Sequence, residues 1–233
     1  MMILDTAYKI SKELYPLKPL YLEVRTWNKR AINCYKKAGF VIEKKLRKTT
    51  TIGEGEFYRM IIKLVEVSEN FREQVLEYKD EFDNNNEILH GTAGLGKAEN
   101  FEEWLKAIVD NSFEETVRQG FVPSSTYLAV RVEDDKLLGM IDIRHKLNEY
   151  LFNFGGHIGY SIRKSERRKG YAKEMLGQAL GKCREMGLDK VLITCDKENI
   201  ASASTIKSQG GVLENEVNEE DEIVQRYWIN LNK

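Results

Sequence analysis

Net charge, paired cysteines and long apolar runs are all missing from this sequence. Its 36 Lys and Arg residues nearly cancel 37 Asp and Glu, leaving a formal net charge of -1. No global basic field therefore recruits nucleic acid or an acidic membrane surface. The three cysteines, Cys34, Cys183 and Cys195, are odd in number and far apart, with no CxxC pair and no clustered histidines. They read as structural thiols, and neither a disulfide framework nor a metal site is expected. No window approaches the ~20 apolar residues of a membrane span. The opening MMILDTAYKISKEL has no basic region followed by a long apolar run, so a soluble, cytoplasmic protein is expected. What is present is 233 residues of 42% hydrophobic content, enough for one large domain, or a domain with an accessory piece, around a sizeable core.

Part of the chain repeats. NKRAINCYKKAGF (Asn28 to Phe40) aligns with NIASASTIKSQGG (Asn199 to Gly211), placing Asn28 on Asn199, Ala31 on Ser202, Tyr35 on Ile206 and Gly39 on Gly210. An apolar strand precedes each, LYLEV and VLITC, and another follows, FVIEK and GVLEN. FYRMIIKL then matches VQRYWINL, with Arg59 on Arg226 and Leu64 on Leu231. Upstream, ILDTAYKISKEL resembles MLGQALGKCREM, with Ala7 on Ala179. A repeat at this distance reads as a duplicated domain half rather than a solenoid unit; the alternative is a chance likeness of two generic strand–helix–strand units. Two units are expected, residues 1–64 as a truncated lobe and residues 65–233 as a complete domain.

In the second unit a strand is expected near Ile61 to Val67, then helices over ENFREQVLEYKDEF and ENFEEWLKAIVDNSF separated by a polar loop. A hairpin follows, TYLAVRV and KLLGMIDIRH around a turn at Glu133 to Asp135, where β-branched content and acidic turn residues agree. GGHIGYSIR gives a strand, KSERRKG a loop, and YAKEMLGQALGKCREMG a helix ended by Gly187. The strand KVLITC, a helix with Asn199 as N-cap and two closing strands complete the unit. The fold class is α/β of the α+β kind: a mixed, mostly antiparallel central sheet with flanking helices. GHIGYSIR and KVLITC, joined by the helix, are expected to be parallel.

The stretch SERRKGYAKEML, Ser165 to Leu176, stacks three cations and a glycine before a helix. Strand, then Arg167-x-x-Gly170-x-Ala172, then helix suits a pyrophosphate: the glycine lets the backbone approach, and the helix start supplies unpaired N–H groups and a positive dipole end. The alternative is a solvated basic turn. The GK[ST] ending of a Walker A loop and the GxGxxG pattern are both missing.

With its flanking strands and Asn-initiated helix, the run GHIGYSIRKSERRKGYAKEML resembles the central motif of the GNAT superfamily of acyl-CoA-dependent N-acetyltransferases. TCDKENIASASTIKSQGGVLENEV resembles that family's next motif, and GMIDIRH its preceding strand. The likeness covers about Ile61 to Leu231, and residues 1–64 resemble the last third of another such domain. It implies acetyl-CoA as co-substrate, a small-molecule or peptide amine as acceptor, and direct attack in a ternary complex. It also implies that Arg168, Lys169, Gly170, Tyr171 and Ala172, with Arg167, hold the pyrophosphate. Tyr160, Ser161 and Ile162 would pair with the pantetheine arm, and Asn199 would contact the rest of the cofactor. The backbone at Tyr160 would donate to the developing oxyanion.

His157 stands where many relatives carry glutamate and is the first candidate base, since imidazole titrates in the useful range. A cap on the strand edge is its other reading. Behind it come His145 and Asp142, then His90; Asp142 and Arg144 share a strand face and read as a surface ion pair. Relatives often use a tyrosine one turn into the following helix to protonate the thiolate. Here that position is Ile206, and the tyrosine survives as Tyr35 in the first unit. Ser202, Ser204, Thr205 or water would substitute, so the general acid is unassigned. A non-catalytic acetyl-CoA-binding regulatory module is the alternative function.

The first unit has no phosphate loop and is expected to pack on the second, or on a second chain as a homodimer, through strand pairing. Its hairpin EKKLRKTT is basic and the equivalent ENEVNEEDE is acidic. These read as solvated loops or, more sharply, as a device in which Glu219, Glu220 and Asp221 draw a cationic amine.

Overall fold

The computed structural model describes residues 22–37, 42–50, 53–60, 62–132 and 134–232. The expected helix carrying Ala7, and Glu133 of the expected turn, lie outside the described residues. In chain order the elements are β1 (Leu22–Arg25), α1 (Lys29–Lys37), β2 (Ile42–Thr50), β3 (Gly53–Met60), β4 (Ile62–Glu66), α2 (Arg72–Asp83), α3 (Phe101–Asp110), β5 (Ser124–Arg131) and β6 (Leu137–Arg144). They continue with β7 (Ile158–Ile162), α4 (Tyr171–Glu185), β8 (Lys190–Asp196), α5 (Ile200–Ser208), β9 (Val212–Glu219) and β10 (Glu222–Asn230).

The central layer is a four-stranded antiparallel sheet, β4-β5-β6-β7. Its β6 run LLGMIDI is buried on both faces, so it shows no polar alternation. On one face α2 and α3 pack Val75, Tyr78, Phe82, Phe101 and Trp104 against Leu128, Val130, Leu137 and Met140. On the other, α4 sets Met175, Leu176, Ala179 and Cys183 against Ile62, Ala129, Ile141 and Ile143. The α4 sequence places those residues on one stripe at helical spacing. It stops where expected: Gly187 takes φ 81, and the amides of Gly187 and Leu188 donate to Arg184 and Cys183, a left-handed cap that glycine adopts without strain.

The second sheet is β8-β10-β9, with α5 between its first two strands in sequence. The first unit has the order β1-β3-β2 with α1 placed likewise. The likeness extends to single residues. Leu22 faces Met60, Glu23 faces Arg59 and Val24 faces Tyr58; at the aligned positions Ile193 faces Tyr227, Thr194 faces Arg226 and Cys195 faces Gln225. β2 skips Glu43 between Ile42 and Lys44, and β9 skips the aligned Glu214 between Leu213 and Asn215. Asn28 Oδ1 accepts from the Ala31 amide at 3.1 Å and Asn199 Oδ1 from that of Ser202 at 3.0 Å.

Two expectations change here. β4 pairs with β5 from Ile62 onward, so residues 62–64, assigned to the first lobe by the repeat, are built into the sheet of the second unit. Strand pairing between the two units is not found among the described residues, where β1-β3-β2 forms a sheet of its own.

Candidate functional site

The site is the gap between β7 and β8. These strands, expected to be parallel, meet only at their start. Gly156, at φ 64, packs where a Cβ would lie 2.7 Å from the Leu192 carbonyl. The next residue donates its amide to that same carbonyl at 2.7 Å. The His157 ring completes the pin, accepting the Leu192 amide on Nδ1 at 2.9 Å. Beyond it β7 and β8 belong to separate sheets.

This is the geometry of a strand-edge cap rather than of a base open to substrate. The Nδ1 lone pair is already used, the proton of the neutral ring sits on Nε2, and burial pushes the pKa down to about 4.

The ladder fixes which backbone groups face the gap. Arg144 N donates to His157 O at 2.8 Å and Arg163 N to Leu138 O at 2.9 Å. Residues 157, 159, 161 and 163 therefore direct their backbone to β6, while Ile158, Tyr160 and Ile162 direct theirs to the open edge. Tyr160 is thus well placed to offer its N–H. Ser161 is not: its backbone faces β6, and its hydroxyl accepts from Tyr78 Oη at 3.0 Å and donates to His90 O at 2.6 Å. The Ile162 carbonyl is occupied by Arg167 Nε at 2.9 Å, leaving only its N–H for a ligand. The Tyr160 side chain crosses the gap to α5, where Oη lies 3.0 Å from Ser202 Oγ; burial raises this phenol to about 12.

At the mouth of the gap lies the loop Arg167 to Gly170. Arg168 and Gly170 take φ 65 and 89, the alternation that turns successive N–H groups toward one point. Among the described residues, the amides of Arg168 to Lys173 make no backbone hydrogen bond. A Cβ on Gly170 would meet nothing within 4 Å, so the space in front of the α4 start is open. The loop is braced from below: Glu166, 4% exposed, holds Arg131, Lys136 and Lys169 at 3.1, 2.9 and 2.8 Å. Its carboxyl is held down at about 2, where the hydrogen bonds of Lys169 and Lys136 and the charge of Arg131 outweigh burial, the largest single effect. The Tyr171 ring is buried in the core, so this residue faces the loop with its amide alone. Ala172 packs partly against the same core. Arg168 is the loop cation without an ion pair among the described residues.

Neighbouring candidates fare differently. Asn199 spends its Oδ1 on the cap, and the cavity of about 450 Å³ beside it is lined by Asp196, Glu198, Asp221 and Glu222 with one cation, Lys197, that is paired to Glu216, a poor setting for phosphate. Ile206 is fully buried in the core rather than in the gap, whereas Ser202 reaches the gap through Tyr160. Ser204 is exposed, and Thr205 Oγ1 donates to Ala201 O. Asp142 and Arg144 do pair, at 3.8 Å, but not as a surface pair: Asp142 is 5% exposed and accepts from Thr126 Oγ1 at 2.9 Å. Arg144 donates to the carbonyls of Gly155 and Gly156 at 2.9 and 3.0 Å, securing the start of β7. His145 Nε2 lies 2.9 Å from Ser125 Oγ, away from the gap, with its pKa lowered by burial. The acidic hairpin is partly committed, Glu214 to Arg226, Glu216 to Lys197 and Glu219 to the Tyr150 hydroxyl.

Sequence reasoning found the polar loop between α2 and α3, with His90 in it, but not its close approach to β7. Gly91 lies against β7 so closely that a Cβ would be 2.1 Å from Gly159 O and 2.4 Å from Tyr160 N. Thr92 O accepts from the buried indole of Trp104 at 2.7 Å. The signal available was the HG of LHGTAG opposite the IG of HIGY, two glycines in separate elements.

Among the described residues no helix is long and apolar enough to cross a membrane, and no group of side chains is arranged to hold a metal. No curated protein sequence matches the chain significantly. The chain is similar in fold to an acetyltransferase of the GNAT family from Bacillus anthracis, at 17% identity and TM-score 0.52, over 83% of this chain and 100% of that one. It is likewise similar to the dodecameric spermidine N-acetyltransferase from Vibrio cholerae, at 19% identity and TM-score 0.52, over 74% and 95%. The ribosomal L7/L12 alpha-N-protein acetyltransferase RimL, in complex with coenzyme A, matches at 14% identity and TM-score 0.54, over 80% and 98%. The family model of the GNAT acetyltransferase domain matches residues 72–212, more than half of the sequence. The chain, with its split sheet and its glycine loop at a helix start, belongs to the GNAT acetyltransferase family.

Proposed function

We propose that this protein transfers acetyl from acetyl-CoA to a primary amine by direct attack, in a catalytic domain that runs from β4 to the C-terminal strands. The observation that carries the reading is the loop of Arg168 to Ala172. Its left-handed residues, unbonded amides and open space fit a pyrophosphate at the positive end of α4. Acetyl-CoA supplies an activated thioester. The open edge of β7 at Ile158 and Tyr160 suits a strand-like pairing with its amide-bearing arm, and the Tyr160 N–H is the donor for the oxyanion.

The amine nitrogen attacks the carbonyl carbon, the C–S bond breaks, and the amine's proton and the proton taken up by the thiolate are exchanged with solvent. His157 takes no part beyond holding the root of the gap. The residues before β4 serve as an accessory lobe, a second version of the β8 to β10 unit whose sequence has no RRKGYA loop.

Calorimetric titration of acetyl-CoA into the wild type and Gly170→Glu tests the reading. The added carboxylate would fill the open space, and binding is expected to fall by more than about 100-fold. If the variant binds as tightly as the wild type, or if neither binds, the loop is a basic turn and the reading fails. A regulatory acetyl-CoA-binding module is the second reading, favoured by the burial of Ile206 where relatives carry a tyrosine. Release of CoA thiol in the presence of any amine in a panel excludes it.

A further inference from the structure

Arg167 begins the phosphate loop, yet its fork points at another partner. Nη1 donates to Glu87 Oε1 at 3.1 Å, and Nη2 makes a second, short contact with Oε2. The guanidinium lies 5.6 Å from the centre of the Phe82 ring. Glu87 also stands 3.7 Å from Lys164 Nζ. The hydrogen bonds and charge of Arg167 hold the Glu87 carboxyl below its ordinary range, so it is ionised at neutral pH.

Glu87 lies in the same short loop as His90, Gly91 and Thr92. Four residues beyond it, Gly91 covers the Gly159–Tyr160 peptide, and between them His90 O accepts from Ser161. Glu87, through the Arg167 fork and the longer Lys164 contact, therefore ties the phosphate loop to the segment that roofs the peptide carrying the proposed oxyanion donor.

Resting on the acetyl-CoA reading, we propose that Glu87 is a positioning residue that couples the phosphate loop to the roof of the transfer site. A pyrophosphate in the Arg168–Ala172 loop competes with Glu87 for Arg167, because a bidentate fork serves one anion at a time. When phosphate takes the fork, Glu87 keeps only Lys164, at 3.7 Å, and the His90–Thr92 segment is freed from its tighter anchor. The roof thus loosens when the cofactor is in place, which is when an acceptor must reach the Tyr160 peptide. Glu87 does not touch the reacting atoms; it acts through Arg167.

The test is hydrogen–deuterium exchange of peptides spanning 84–97 in the wild type and Glu87→Gln, each free, with CoA, and with pantetheine, which lacks the pyrophosphate. In the wild type CoA is expected to speed exchange of this segment and pantetheine to leave it unchanged. In Glu87→Gln exchange is expected to be fast in the free protein and indifferent to CoA. CoA affinity should rise about fivefold, the equivalent of about 1 kcal/mol for an exposed ion pair. Glu87→Asp, which keeps the charge, is expected to restore part of the CoA response. If wild type and Glu87→Gln exchange alike when free, or if CoA still alters the segment in the variant, the coupling is refuted while the cofactor reading stands. If the wild type binds no CoA, both fall.

Discussion

In the first unit Glu23 faces Arg59 across a ladder, and a bulge at Glu43 follows on the next strand; in the second Thr194 faces Arg226, and the bulge falls at Glu214. Both helices between start on an asparagine cap. A β-bulge re-aims one strand against another, so its recurrence at an aligned residue is stronger evidence of a common plan than shared strand order alone. The differences are as specific. The β2–β3 hairpin carries the basic EKKLRK and the β9–β10 hairpin the acidic ENEVNEE. Only β8 meets a neighbour like β7 among the described residues, through Leu192 and His157. Among the described residues the backbone plan is common to both units, while the pinned gap is found in the second.

The sharpest way to break that distinction is at the pin. His157→Asn keeps an acceptor for the Leu192 amide but cannot titrate. The wild-type imidazole has a native pKa of about 4 against about 6.5 when unfolded. Between these values the unfolded chain binds more protons, so stability is full above about pH 6.5 and is lost as pH falls toward 4, by up to about 3 kcal/mol. Thermal melts from pH 7 to pH 4 are expected to show a flatter acid slope in His157→Asn. Its CoA-release profile from pH 5 to pH 8 should match the wild type; loss of the acid limb, the fall in rate toward pH 5, would make His157 a base.

A second comparison exchanges the residues at the aligned helix position. Ile206→Tyr forces a larger ring into the core and is expected to cost about 1–3 kcal/mol in a urea titration without raising turnover. Tyr35→Ile, at a half-buried site, should cost less. A faster Ile206→Tyr enzyme would mean that the helix can present this position to the gap. Smallest is the matched pair Asn199→Ala and Asn28→Ala, each expected to cost about 1 kcal/mol of local stability, read from amide exchange in α5 and α1. Unequal losses would show that the two caps carry different loads.

Much of this was legible in the chain. RRKGYA, its flanking strands and the Asn-capped helix depend on local spacing, and the fold places them where the spacing says. The repeat even transmits register, because ladder pairing follows residue count. The role of His157 was not legible, since a histidine at a strand edge reads alike whether its ring faces solvent or a backbone amide two elements away. Asp142 looked like a surface carboxylate because alternation along β6 gives its face but not what covers that face. Glu87 and Gly91 sit in DNNNEILHGTAGL, which has no periodicity, and their partners lie some 70 to 80 residues away, at |i−j| of 71 for His90 with Ser161 and 80 for Glu87 with Arg167.

The buried indole of Trp104, bonded to the carbonyl of Thr92, gives the roof its own light source. The molecule has three tryptophans; Trp27 is 73% exposed and Trp104 1% exposed, so their emission should separate in wavelength. A bond from the indole N–H to a loop carbonyl makes the blue component sensitive to that loop. Opening of the roof should therefore be visible as a colour change on the timescale of a stopped-flow trace, with no label attached.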